Sequence, residues 1–246
     1  MLNDIAVMVW KEFKEYFMQR SGIRGGLGSL LIILGVLGVF VPLQSGEAWF
    51  TMPILPLMWT WMPVLYSLSI ITDSIAGERE RHTLETLLAS RLPDRAILLG
   101  KMSAAVLYSF SIGISGLLVG ALALNIVHPE EGIRFYPLNT FASLLALNFL
   151  APLLLAGLGV LVSLKAQTAR QAYQRISIVL LILWVLPNLA LIAVPESLRS
   201  QVALQLGGLD YWSILFGVIA IMAGVDALLV WICLKRFKRT RLALIL

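Results

Sequence analysis

The sequence predicts an all-α integral membrane protein. It has six transmembrane helices, an amphipathic interfacial helix at the N-terminus and a charged helical segment between the second and third spans. Three observations carry this. Hydrophobic residues make up 59% of the 246 and charged residues only 13%, where a soluble domain has about a quarter charged. Six stretches approach the roughly 20 apolar residues that a bilayer core about 30 Å thick requires: Gly25–Leu43, Ala48–Thr72, Met102–Val127, Pro137–Leu164, Ile176–Pro195 and Tyr211–Leu234. Finally, Lys and Arg alternate between abundance and near-absence along the gaps between these stretches.

That alternation sets the orientation. Four cations precede the first span, five lie between the second and third, three between the fourth and fifth, and five in the tail. These seventeen stand against two, Arg134 and Arg199, in the other three gaps. Cytoplasmic loops hold the excess of Lys and Arg, so both termini are expected in the cytoplasm of a multi-pass protein of the plasma or inner membrane. The net charge of +5 is thereby a membrane pattern and gives no reason to expect nucleic acid as a partner. The single cysteine, Cys233, excludes an internal disulfide and a CxxC metal site.

In chain order, residues 4–20, "DIAVMVWKEFKEYFMQR", place Ile5, Val9, Phe13, Tyr16 and Phe17 on one helical face, opposite Asp4, Lys11, Lys14 and Glu15. Such a helix lies in the membrane interface, either as a simple anchor or as a bracket that also touches a cytoplasmic partner. "SGIRGG" breaks it before the first span. A long amphipathic segment ahead of that span, in place of a short basic one, argues against a cleavable signal peptide.

Residues 73–101, "DSIAGERERHTLETLLASRLPDRAILLGK", carry eleven charged or histidine side chains between two apolar spans. From Gly77 the pattern is a short amphipathic helix with Leu84, Leu87 and Leu88 at helical spacing. Pro93 stops it, and Asp94 is the expected N-cap of a helix that runs into the third span. The leucine face suits packing on the membrane surface or docking of a protein.

The run Gly77-Glu78-Arg79-Glu80, then Thr83-Leu84-Glu85, Leu87-Leu88, Pro93 and Gly100-Lys101 resembles the signature of type-2 ABC exporter permeases, G-E-[KR]-E-x-x-T-L-E-x-L-L followed by a Pro, a capping residue and G-K. His82 falls at a variable position, and Asp94 stands where Ser is common. The six-helix layout and the N-terminal amphipathic helix extend the resemblance over residues 1–246 as one permease domain. It implies that 73–101 is the coupling segment seated in a cleft of a cytoplasmic ATPase, with Glu78, Arg79, Glu80, Arg81, Thr83, Leu84, Glu85, Leu87 and Leu88 as its contact residues. Residues 4–20 resemble the interfacial connecting helix. "KAQTARQAYQR", 165–175, resembles the minor ATPase contact, through Arg170 and Gln171. Residues 196–210 resemble the outer segment where the family places short re-entrant helices. The implied assembly is two permease chains, identical or different, with two ABC ATPase chains, and a substrate route between the permeases.

No G-x-x-x-x-G-K-[ST] occurs, and Gly100-Lys101 is followed by Met102, so ATP and Mg are expected on a separate subunit and no cofactor in this chain. The chain is therefore expected to be a transport subunit and not itself an enzyme. His82 and His128 belong to no metal cluster or Ser–His–Asp constellation. Of the intramembrane polar residues Asn125, Asn148, Asn188 and Asp226, the acid is costly in lipid, at least about 2.5 kcal/mol near the centre. Asp226 fits an interhelical pair, a neutral acid between helices, or a proton or substrate site. Met52, Met58 and Met62 fit lipid-facing methionines better than a metal route. The tryptophans Trp49, Trp59, Trp61, Trp184, Trp212 and Trp231 fall mostly near span ends, as an aromatic belt requires. The reading that accounts for most of these features is the membrane subunit of an ATP-driven exporter. Its rivals are an ATP-driven complex that transmits force without moving a substrate, and an ion-coupled secondary transporter relayed by Asp226.

Overall fold

The computed structural model describes residues 1–19, 28, 31–59, 61–193 and 210–238. Among these there are helices and turns and no strand. The principal helices are α1 (Leu2–Gln19), α2 (Leu31–Ser45) and α3 (Ile54–Glu80), the short α4 (Leu84–Leu88), α5 (Asp94–Val127), α6 (Leu138–Ser163), α7 (Ala169–Ala193) and α8 (Tyr211–Arg236). Four of them, α3, α5, α6 and α8, are long and apolar enough to cross a membrane. α2 is a shorter apolar helix that overlaps the first expected stretch and runs two residues past it, and α7 covers most of the fifth. The outer segment 196–209 and the start of the first stretch lie outside the described residues.

α5 is the spine. α1, α2, α3 and α6 all pack along it, while α6 also holds α3, α7 and α8. Its 34 residues span about 51 Å, more than a bilayer core requires, so one end projects beyond the hydrocarbon.

One buried cluster sits at each end of the bundle. At the α2 end, Trp49, Phe50, Trp59, Leu117, Leu124, Tyr136 and Leu144 pack together. Trp49 Nε1 donates to the Tyr136 hydroxyl at 2.7 Å, which in turn donates to the Leu117 carbonyl at 3.0 Å. Trp59 Nε1 donates to the Gly113 carbonyl, and its ring fills the space where a Cβ on Gly116 would stand. Trp49 and Trp59 are thus core residues and not part of an aromatic belt: each buries its ring because its N–H finds a partner inside. Asn125 is also accounted for. Its amide donates to the Arg134 carbonyl and accepts from the Arg134 N–H, pinning the α5–α6 loop.

Three expected boundaries are corrected. The second stretch is not one helix from Ala48. A helical turn, Ala48–Thr51, ends at Met52 before Pro53, and α3 begins at Ile54, because the residue before a proline is biased to extended backbone. Second, α3 does not stop at Thr72; it widens into a π turn over Asp73–Gly77 and ends with Glu78–Glu80. Helix 77–88 is accordingly split at Arg81–Thr83, where His82 takes a positive φ of 56°. Third, Asp94 is the first helical residue of α5 and not its cap; Pro93 stands at the N-cap, and no side chain caps that end.

Candidate functional site

The charged residues that open the 73–101 segment converge at the end of the bundle formed by the last turn of α3 and the first turns of α5. Lys101 is fully buried, and Glu78 and Glu12 nearly so. Lys101 Nζ lies 2.8 Å from Glu12 Oε1 and 2.9 Å from Glu78 Oε2, and it donates to the Ser74 carbonyl at 2.6 Å. Lys11 Nζ meets Glu78 Oε1 at 2.5 Å and lies near Glu12 and Glu15 at 3.5 and 3.3 Å. Burial alone pushes the Lys11 ammonium down, but Glu78, Glu12 and Glu15 outweigh it and hold its pKa above the ordinary value. Two lysines and two buried glutamates therefore pair with one another, and each offsets part of the desolvation penalty that the others would carry alone.

The glutamates 12, 15 and 78 lie within 4.8 Å of one another, as ligands of a divalent cation would. Lys11 Nζ occupies the point where they converge, so the chain's own ammonium group stands where such a cation would sit.

Each remaining charge of "GERER" also has an internal task. Arg79 donates to the carbonyls of Ala166 at 2.8 Å, Leu164 at 3.3 Å and Ser163 at 3.4 Å. These belong to the C-terminal end of α6 and the loop beyond it, where backbone acceptors lack helical partners. Glu80 accepts from the Ala169 N–H at 3.3 Å, the first residue of α7, where a negative charge suits the helix N-terminus. Arg81 reaches Asp73 at 3.3 Å. One short motif thus fastens α1, α3, α5, α6 and α7 at one end.

The glycines permit the approach. A Cβ on Gly100 would stand 2.5 Å from the Met8 Cβ, so glycine lets α1 lie directly on α5. Phe13 and Tyr16 then meet Tyr108 edge-on or tilted, at centroid distances of 6.2 and 4.9 Å.

The leucines behave differently from the expectation of a ridge offered outward. Leu84 is 1% exposed, and Leu87 and Leu88 pack half-buried against the chain's own cluster of Met8, Ile75, Ile97 and Leu98. What faces outward is Glu85 and Thr86 on α4 and Thr83, Ala89 and Arg91 beside it, all exposed. Arg170 in the first turn of α7 is exposed too, while Gln171 beside it accepts from the Gln167 N–H of the α6–α7 loop at 3.0 Å. Arg79 and Glu80 hold the α6–α7 loop and the start of α7 beside the end of α3.

Asp226 stands apart from this hub. It is 2% exposed, on a helix where only it and Cys233 are buried among the described residues. Neither carboxylate oxygen has a hydrogen-bond partner among the described residues, so the expected interhelical pair is not found there. The Asn188 side chain lies outside the described residues. Met52 and Met58 are exposed.

Two members of the hub are poorly marked in the sequence. Glu12 belongs to neither face of α1 in the spacing pattern, and its i, i+4 relation to Met8, toward α5, is the one local sign of its direction. Lys101 closes the Gly100-Lys101 pair of the motif, which carries no sign that its ammonium turns inward to meet Glu78, expected as an outward contact.

Among the described residues, several membrane-length apolar helices joined by a charged hub at one end define a multi-pass membrane protein. The family model for "ABC-2 family transporter protein" matches residues 39–206, well over half of the chain, and the chain belongs to that family. Its members are permeases, membrane parts of ABC transporters. No curated protein matches the chain.

Proposed function

We propose that this chain is the membrane subunit of an ATP-driven exporter, driven by a separate cytoplasmic ABC ATPase that docks on the outward face of α4 and the neighbouring α6–α7 loop. The full assembly would be two permease chains with two ATPase chains, six spans in each permease, both termini in the cytoplasm of the plasma or inner membrane, and a substrate path between the permeases.

One observation carries the docking reading. The exposed row Thr83, Glu85, Thr86, Ala89 and Arg91 runs along α4 and the residues flanking it, and the inward side of this segment is fixed to the cluster of α1, α3 and α5 residues through Leu87 and Leu88, with Leu84 buried as well. A push on that row is passed to membrane helices and not absorbed by a loose loop. Binding would therefore use polar and charged contacts outward, with the leucines as the rigid mount behind them.

The test is capture of the cognate ATPase, together with ATP turnover, by the full-length permease. Glu85→Lys places a like charge against any partner cation and should weaken capture or uncouple ATP turnover from transport. Glu130→Lys, in the α5–α6 loop, should do neither. Wild-type behaviour of Glu85→Lys in both assays removes α4 as the docking element.

A further inference from the structure

The C-terminal end of α8 carries a feature that the ATPase reading leaves unused. Lys235, Arg236 and Lys238 surround a groove of about 410 Å³ whose apolar wall is Trp231 and Ile232. Trp231 is 52% exposed, and Lys235 Nζ rests 3.6 Å over its ring. Phe237 is buried, and its N–H closes the helix on the Cys233 carbonyl, which fixes where the flanking cations emerge. None of the three cations forms an ion pair among the described residues. No Asp or Glu occurs from residue 227 to residue 246, whereas Lys235, Arg236, Lys238, Arg239 and Arg241 crowd into seven positions.

The groove's depth follows from its own helix. Trp212 and Trp231 are nineteen residues apart, about 29 Å along a helix, which matches a hydrocarbon core of about 30 Å. The two rings therefore mark the two interfaces. The cations one to two turns beyond Trp231 lie in the headgroup layer. Compensation of the helix dipole accounts for a cation or two at this end, but not for an open apolar wall beside three unneutralised ones.

We propose that this groove is a binding site for an anionic glycerophospholipid. Lys235, Arg236 and Lys238 hold its phosphate, and Trp231 and Ile232 carry the glycerol and the upper acyl chain. An acidic protein segment would match the charges but has no use for an apolar wall at hydrocarbon depth. The inference takes from the proposed function only that α8 crosses the bilayer, and ATPase capture is read separately.

The experiment uses the full-length chain in a neutral detergent, titrated with dioleoyl-phosphatidylglycerol or dioleoyl-phosphatidylcholine, with bound lipid counted by native mass spectrometry. The wild type should retain phosphatidylglycerol in preference. At about fivefold per cation near an anionic surface, K235Q/R236Q/K238Q should weaken that preference on the order of a hundredfold. K235R/K238R should keep it, as should R95Q/K165Q/R175Q, which removes the same net charge elsewhere. If the triple α8 variant fails to purify, K238Q alone should show about a fivefold loss. The proposal is overturned if the α8 variants keep the preference, if the remote triple variant loses it equally, or if soluble glycerol phosphate competes as well as the lipid. It is overturned too if the α8 variant loses ATPase capture with lipid binding intact, which would assign the cations to a protein partner.

Discussion

Lys101 keeps a charge where water does not reach because Glu12, Glu78 and the Ser74 carbonyl together occupy its ammonium. Removing one member of such a set leaves the others buried and unbalanced, at a cost of about 3–5 kcal/mol. Lys101→Met should therefore lower the thermal midpoint of the purified protein sharply, and a fluorescence-detected unfolding scan in detergent reads it. The double variant Lys101→Met/Glu12→Gln removes one charge of each sign and should recover part of that loss. A double variant less stable than Lys101→Met would show that the cluster is not charge-coupled. Asp226 poses the opposite case, a buried acid without a described partner. Asn reproduces its shape and hydrogen-bonding size, so Asp226→Asn should keep most ATP-dependent transport. Near-complete loss with assembly intact would place a proton or substrate at this residue.

At the scale of the element, α1 is held to α5 by contact of Met8 with Gly100 and by the Glu12–Lys101 pair. Gly100→Val places methyl groups where Met8 stands, and overpacking of this kind costs about 1–3 kcal/mol. The expected outcome is a loosened α1: limited proteolysis should cut within residues 2–19 faster than in the wild type, with the rest of the bundle resisting as before. Equal protection of both proteins would mean that α1 holds without this approach. The existence of α1 and of the amphipathic turn around Leu84 was legible from spacing alone. Their directions were not. A charge or a leucine on a short helix has the same pattern whether it faces a partner or its own chain, and only the position of Lys101 across the α3–α5 turn decides that Glu78 points inward. Nor could spacing show that Arg79 would find the bare carbonyls of α6, since their nearness is a product of the tertiary fold.

For the whole molecule, the distribution of cations and the packing make a joint claim about sidedness. Glu47, before α3, pairs with Arg134 of the α5–α6 loop at 3.0 Å, and Asn125 pins that loop to the end of α5. The structure thus puts Glu47 and the exposed Glu130 at one end of the bundle, opposite the end where α4 joins α5. The seventeen-to-two division of Lys and Arg assigns the α4 end to the cytoplasm. In a variant with Cys233→Ser, cysteines introduced as Glu47→Cys and as Glu130→Cys should both react with an impermeant maleimide added to right-side-out vesicles, and Glu85→Cys only after permeabilisation. Because Glu47 and Arg134 touch, the first two sites must share one fate. Labelling of one without the other would break the fold itself, whereas exclusion of both with labelling of Glu85→Cys would keep the fold and invert it. The inverted result would leave α4 facing away from any cytoplasmic ATPase and end the docking proposal.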